Sequence, residues 1–248
     1  MNIPAPCAEC FLEGRKDNPS ANPPIVFYKG RVKDDGYVRV KCTKGHDSII
    51  LYDERKYDLL FISACHALIS GYEREAVSSF AASLERVFEF FIFVASRHCK
   101  ISPGVVENTW KLMAKQSERQ LGSFLAFYEL LTNAVYPLDN KMVEFRNKVI
   151  HQGYIPDENE AEIFGEYVFN QKLTLIKILQ DKCSVAFDDE IKAEMDKMKS
   201  SAPKGVPQLG FKATLVNVDL ATHKAVEITK FSDYIFGIKD NLKKQKRG

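Results

Sequence analysis

The chain has 248 residues, a formal net charge of +2, and 45% hydrophobic, 27% charged and 11% aromatic residues. That composition excludes a disordered or fibrous protein, and the length allows one sizeable core plus a small appended module. The charge is too mild to mark a nucleic-acid binder by itself, and six cysteines in a chain of this size point to thiols or metal ligands rather than a disulfide framework.

Residues 1–52 form the first expected module. They are rich in proline and hold two short alternating runs, Ile25 to Tyr28 and Tyr37 to Val40, which read as strands joined by a turn around Asp34-Asp35-Gly36. So short a segment buries too little apolar surface to fold without a staple. Cys7 and Cys10 are separated by two residues, and Cys42 and His46 by three. Each spacing lets a tight turn aim two ligands at one tetrahedral ion, and Gly45 sits where the second turn must bend. Cys7, Cys10, Cys42 and His46 are therefore the expected ligands of a structural Zn2+ in a zinc-ribbon-like module. A closed set of four leaves no open position for catalysis. Two other adjacent pairs, Cys65-His66 and His98-Cys99, point about 100° apart on a helix and are read as core or surface residues.

Residues 53–199 carry helical periodicity. Tyr57, Leu60 or Phe61, Ala64 and Leu68 mark a helix that stops at Gly71, and Phe80, Leu84, Phe88, Phe91 and Ala95 a longer one. Val106, Trp110 and Met113 begin a third, which Leu121, Phe124, Tyr128 and Leu131 either extend or follow as a separate helix. After the break at Tyr136-Pro137, Asp139 is placed to cap a helix running to about Gln152. Gly153 and Pro156 stop it, and Asp157 with Glu160 has the capping-box spacing at the head of a long helix with Phe164, Val168, Leu175 and Leu179 on one face. A short charged helix is predicted over 188–199. Residues 200–248 are expected to be a loop, a hairpin (Phe211 to Val218 with Ala225 to Thr229) and a basic tail.

The helix after Asp139 holds the anomaly of this sequence. Its apolar stripe comprises Met142, Phe145, Val149 and Ile150, and Arg146 falls inside that stripe. A guanidinium there needs a carboxylate, a phosphate or a wet cleft. Asn147 and His151 lie four residues apart and share a face. The imidazole can move protons near neutral pH, and the guanidinium can steady charge on phosphorus oxygens. The structural alternative pairs Arg146 with Glu85 or Glu89 and leaves His151 as a helix-capping side chain.

Arg146-Asn147-Lys148-Val149-Ile150-His151 resembles the signature of the HEPN superfamily, an Arg, a polar residue, and a His four to six residues after the Arg. The helical setting of residues 54–182 is similar as well. The resemblance implies a mainly α protein with a HEPN-like bundle. It also implies a metal-independent endoribonuclease acting as a homodimer, with two Arg/His sets facing one cleft. Arg146 would bind phosphate, Asn147 would orient His151 or the phosphate, and His151 would act as general acid/base. RNA would be cleaved by its own 2′-hydroxyl to a 2′,3′-cyclic phosphate, in a toxin or phage-defence setting with a possible antitoxin or defence-system partner. On an ideal helix Arg146 and His151 point about 140° apart, so one copy is not expected to aim both at one atom. Some HEPN toxins carry a Tyr two residues after the His; here Tyr154 comes three after, and a ring closing the turn is the favoured role for it. The alternative is a non-catalytic dimeric scaffold, or a nucleic-acid- or partner-binding protein with a structural zinc ribbon.

The longest strongly apolar run, residues 87–95, is too short to span a bilayer and contains Glu89. MNIPAPCAEC has neither a basic start nor an apolar signal core, so a cytoplasmic location is expected.

Overall fold

The computed structural model describes residues 2–17, 26–32, 34, 36–52, 54–211, 218–219, 224–225 and 230–245. Among them are eight helices and seven strands, a mainly helical protein with a small sheet. The chain forms two compact units, Met1–Glu54 with Lys192–Glu227, and Arg55–Ile191 with Ile228–Gly248.

The first unit is built on a five-stranded sheet in the order β1 (Asn2–Pro6), β2 (Phe27–Val32), β3 (Val38–Lys41), β4 (Asp47–Tyr52), β5 (Gln208–Phe211). The first four strands pair antiparallel, and β5 adds parallel to β4, Ile50 opposite Leu209. Alternation places Val38 and Val40 inside and Arg39 and Lys41 outside on β3. Strand β4 instead is buried on both faces. Ile50 and Tyr52 pack with Ile3, Ala5, Ala8, Val38 and Val40 on one face, and Ile49 and Leu51 pack with Met198 and Ala202 on the other. Helix α1 (Ala8–Asp17) follows β1 directly. The module therefore departs from the expected ribbon: its first cysteine pair sits at a helix start, not in a knuckle between strands.

The second unit holds α2 (Lys56–Ile69), α3 (Glu73–His98), α4 (Pro103–Met113), α5 (Ser117–Thr132), α6 (Asn140–His151), most of α7 (Glu158–Ser201) and α8 (Phe231–Gln245). The Phe-rich stripe of α3 makes its main core, in which Phe88 stacks on Phe124 at 4.2 Å between centroids and Phe91 meets Phe124 edge-on at 5.2 Å. Local signals act as their chemistry requires. Asp139 accepts from the Lys141 and Met142 amides at 2.9 and 3.3 Å. Asp157 and Glu160 exchange backbone–side-chain bonds of 2.8 and 3.1 Å, a reciprocal capping box. The sequences around Trp110 and Leu121 form two separate helices.

The expected long helix and the charged helix after it both lie within α7, divided by a kink at Cys183, where φ is −135°. Two other expectations are corrected. The C-terminal hairpin is not a simple one: Phe211 belongs to β5 in the five-stranded sheet, and β6 (Val218–Asp219) pairs with β7 (Lys224–Ala225) in a short ladder of its own. The rest of the expected hairpin, and Ile25 in the N-terminal module, lie outside the described residues. The segment expected as a basic tail carries α8 instead. Phe231, Tyr234, Ile235 and Ile238 give it a buried face, and Phe231 and Tyr234 pack on Phe61 and Phe169. The basic run at its end had masked this i, i+3, i+4, i+7 pattern.

Candidate functional site

The helical unit brings its motif together at the end of α6. Arg146 Nη2 donates to Glu85 Oε1 on α3 at 2.6 Å, and Nη1 donates to Asn147 Oδ1 at 2.9 Å. The same Nη1 stands 3.3 Å from His151 Nε2, a contact that requires Nε2 to carry its lone pair. One chain therefore does bring both groups to one point. The length of the Arg side chain spans the 140° separation of their directions on the helix. Glu85, one of the two carboxylates considered, is the partner, whereas Glu89 pairs with Arg86.

Gly153, at φ +72°, turns the chain after α6 in a conformation that favours glycine. The turn lets the Tyr154 amide reach Lys148 O at 3.2 Å. The Tyr154 ring lies under Lys148 Nζ at 4.1 Å, and its hydroxyl donates to Glu160. Hydrogen bonding to Glu160, then desolvation, raises the Tyr154 hydroxyl above its ordinary pKa. Beside Arg146 and Asn147 opens a cleft of about 190 Å³, with walls that include Leu84, Phe88, Leu121, Met142, Val143 and Phe164. His151 stands outside it, exposed. Of α6, only Val149 is fully buried.

In the first unit, Cys7, Cys10, Cys42 and His46 gather their ligand atoms within 4.8 Å of one another, a group that can hold a metal ion. Cys7 caps α1, its carbonyl accepting from Phe11 N at 3.0 Å, so Cys7 and Cys10 project from one helical turn. Cys42 and His46 face them from the turn between β3 and β4. That turn is closed by Gly45 N to Cys42 O at 3.0 Å, with Gly45 at φ +86°. A Zn–S length of about 2.3 Å places tetrahedral vertices about 3.8 Å apart. Cys10 Sγ lies 3.7 Å from Cys42 Sγ and 3.4 Å from His46 Nδ1, and Cys7 Sγ lies 3.8 Å from that nitrogen. The spacing fits such an ion.

The electrostatics fit it too. Burial, then hydrogen bonds and charge from Cys7 and Cys42, push the Cys10 thiol up to about 12. For Cys42 burial also opposes ionisation, but amide hydrogens of His46 and Lys44, together with hydrogen bonds from Cys10 and Cys7, lower the thiol. A cation between the sulfurs would offset the resistance of Cys10 to ionisation. His46 turns Nδ1 to the sulfurs and Nε2 to Glu9 and Glu13, each at 3.5 Å. These carboxylates orient the ring as second partners of metal-bound histidines do. Sequence reasoning did not single them out. Both lie on the helix that starts at the first cysteine pair, so a helix placed over residues 8–17 would have put them one turn apart beside Cys10.

Among the described residues, no helix is long and apolar enough to cross a membrane. No family model, curated protein or solved structure matches this chain.

Proposed function

We propose that this chain is a metal-independent endoribonuclease of the HEPN type, acting as a homodimer in the cytoplasm, with a structural zinc ion in its N-terminal module. The observation that supports it is the convergence of Arg146, Asn147 and His151 at an open helix end beside a cleft. A phosphodiester seated between guanidinium and imidazole is bound by Arg146, while Asn147 holds the guanidinium in place. Neutral His151 takes the proton of the RNA 2′-hydroxyl through Nε2. The 2′-oxygen forms its bond to phosphorus, and the bond from phosphorus to the 5′-oxygen breaks. The leaving oxygen takes a proton from the protonated imidazole of a second copy, so that a 2′,3′-cyclic phosphate and a 5′-hydroxyl result. The dimer supplies that second proton-transfer group. Cys7, Cys10, Cys42 and His46 hold the zinc, which crosslinks α1 to the β3–β4 turn. A toxin or phage-defence role, with an antitoxin or other partner, follows from the same resemblance.

The Glu85–Arg146 ion pair favours a second reading, a non-catalytic dimeric scaffold, because it satisfies the guanidinium without any ligand. One experiment separates the two. RNA is incubated in chelator with the wild type and with a His151→Ala variant of equal thermal stability. The nuclease reading expects cleavage to survive brief chelation and to fall at least about 10²-fold in the variant. Equal behaviour of the two proteins, active or inert, would overturn it. Metal analysis should find about one zinc per chain.

A further inference from the structure

The cleft beside Arg146 is not used by the cleavage chemistry, and its shape and lining suit a particular ligand. Its 190 Å³ is below the roughly 300–1,000 Å³ of sites for drug-sized molecules, which limits the occupant to about one planar ring system. Leu84 and Phe88 from α3, Leu121 from α5, Met142 and Val143 from α6, and Phe164 from α7 make its walls apolar. The Phe88 ring is fixed by its stack on Phe124, so the wall is already formed. Polar groups also line it. The Ser117 side chain forms no hydrogen bond among the described residues, and the Asn147 side chain uses its carbonyl oxygen toward Arg146, leaving its amide hydrogens available; the carboxylates of Glu85 and Glu118 line the cleft as well. A group held on Arg146 is therefore contiguous with a rigid apolar slot that carries a few hydrogen-bonding edges. Unstacked nucleobases are recognised by such a combination of apolar contact and polar edges.

We propose that this cleft receives the base of the nucleotide whose phosphate lies at Arg146, so that the protein holds one base out of the RNA stack and selects it there. The proposal rests on the reading of Arg146 and His151 as a phosphodiester site, and it names the part of the RNA that the neighbouring cleft recognises. Val143 and Ser117 are then specificity residues rather than catalytic ones. A larger side chain at 143 fills the slot, and loss of the hydroxyl at 117 removes an edge contact.

The test is binding, and it needs no turnover. The 3′- and 5′-monophosphates of the four nucleosides are titrated into wild-type protein by NMR to millimolar concentration, beside ribose 3-phosphate and ribose 5-phosphate. At least one nucleotide is expected to bind about tenfold or more tightly than the matching ribose phosphate. Val143→Phe is expected to abolish that advantage while leaving ribose-phosphate binding unchanged. Ser117→Ala, at a half-buried helix start where no side-chain cap bond is lost, is expected to change which base is preferred or to weaken it several-fold. Nucleotides that bind no better than ribose phosphates overturn the proposal, as does a base preference that survives both substitutions. RNA cleavage is assayed separately. A base preference without cleavage supports the cleft and defeats the nuclease reading, and cleavage without a base preference does the reverse.

Discussion

Arg146 is held by three neighbours through one planar fork, and that arrangement separates it from any lysine. Its Nη2 serves Glu85 while Nη1 serves Asn147 and faces His151. Arg146→Lys keeps the charge but cannot span those partners from a single ammonium. The variant is expected to stay folded, lose about 1 kcal/mol of stability for the partly exposed pair, and lose the proposed RNA cleavage by about 10²-fold. Denaturant melts and a cleavage assay read the two effects independently. His66 makes a second residue-scale prediction. Desolvation lowers its pKa below the ordinary 6.5. As pH falls through 6.5 the unfolded chain binds this proton before the folded one, so His66 removes stability on the acid side and none above it. Between pH 7 and pH 5 the wild type should lose more stability than His66→Gln, and parallel curves for the two would refute the assignment.

At the scale of elements, local chemistry sets the helix boundaries and tertiary packing decides the partners. Asp139, the Asp157–Glu160 box and Gly153 act within a few residues of themselves, which is why the limits of α6 and the start of α7 were legible in advance. Helix α8 was not, because its apolar face is followed by lysines and matters only where Phe61, Phe80 and Phe169 receive it. Gly165 on α7 lies at that contact. A Cβ there would come within 2.8 Å of the Phe231 and Phe80 rings. Gly165→Ala raises intrinsic helix propensity by about 1 kcal/mol, yet the overpacking costs about 1–3 kcal/mol. A net loss of stability is expected, together with faster proteolysis near residue 230. A more stable variant would mean that the rings yield freely.

For the whole molecule, two units with separate cores imply separate responses to metal. The sheet unit has small clusters around Ile50 and around Ile49, and its cysteines and His46 sit on elements distant in sequence. The helical unit has a large aromatic core of its own. Calorimetry is expected to show two transitions, with added zinc moving the one that belongs to the sheet unit. Cys10→Ser should lower that transition and the bound zinc together. A single transition insensitive to metal would remove the structural role of the cluster. The proposed dimer belongs to this scale also, and sedimentation of the wild type reads it directly.

By itself the sequence determined what depends on spacing: the mainly helical character, the caps, the grouping of Cys7, Cys10, Cys42 and His46 that can hold a metal ion, and the Arg-Asn-x-x-x-His motif. These are encoded by neighbours along the chain, where backbone geometry leaves few choices. Only the tertiary structure decided that β5 pairs parallel with β4, that Glu85 rather than Glu89 takes Arg146, that Glu9 and Glu13 support His46, and that a cleft opens beside the motif. Each of these joins residues on different elements. Such contacts are selected by the packing of the whole core, which no local pattern contains.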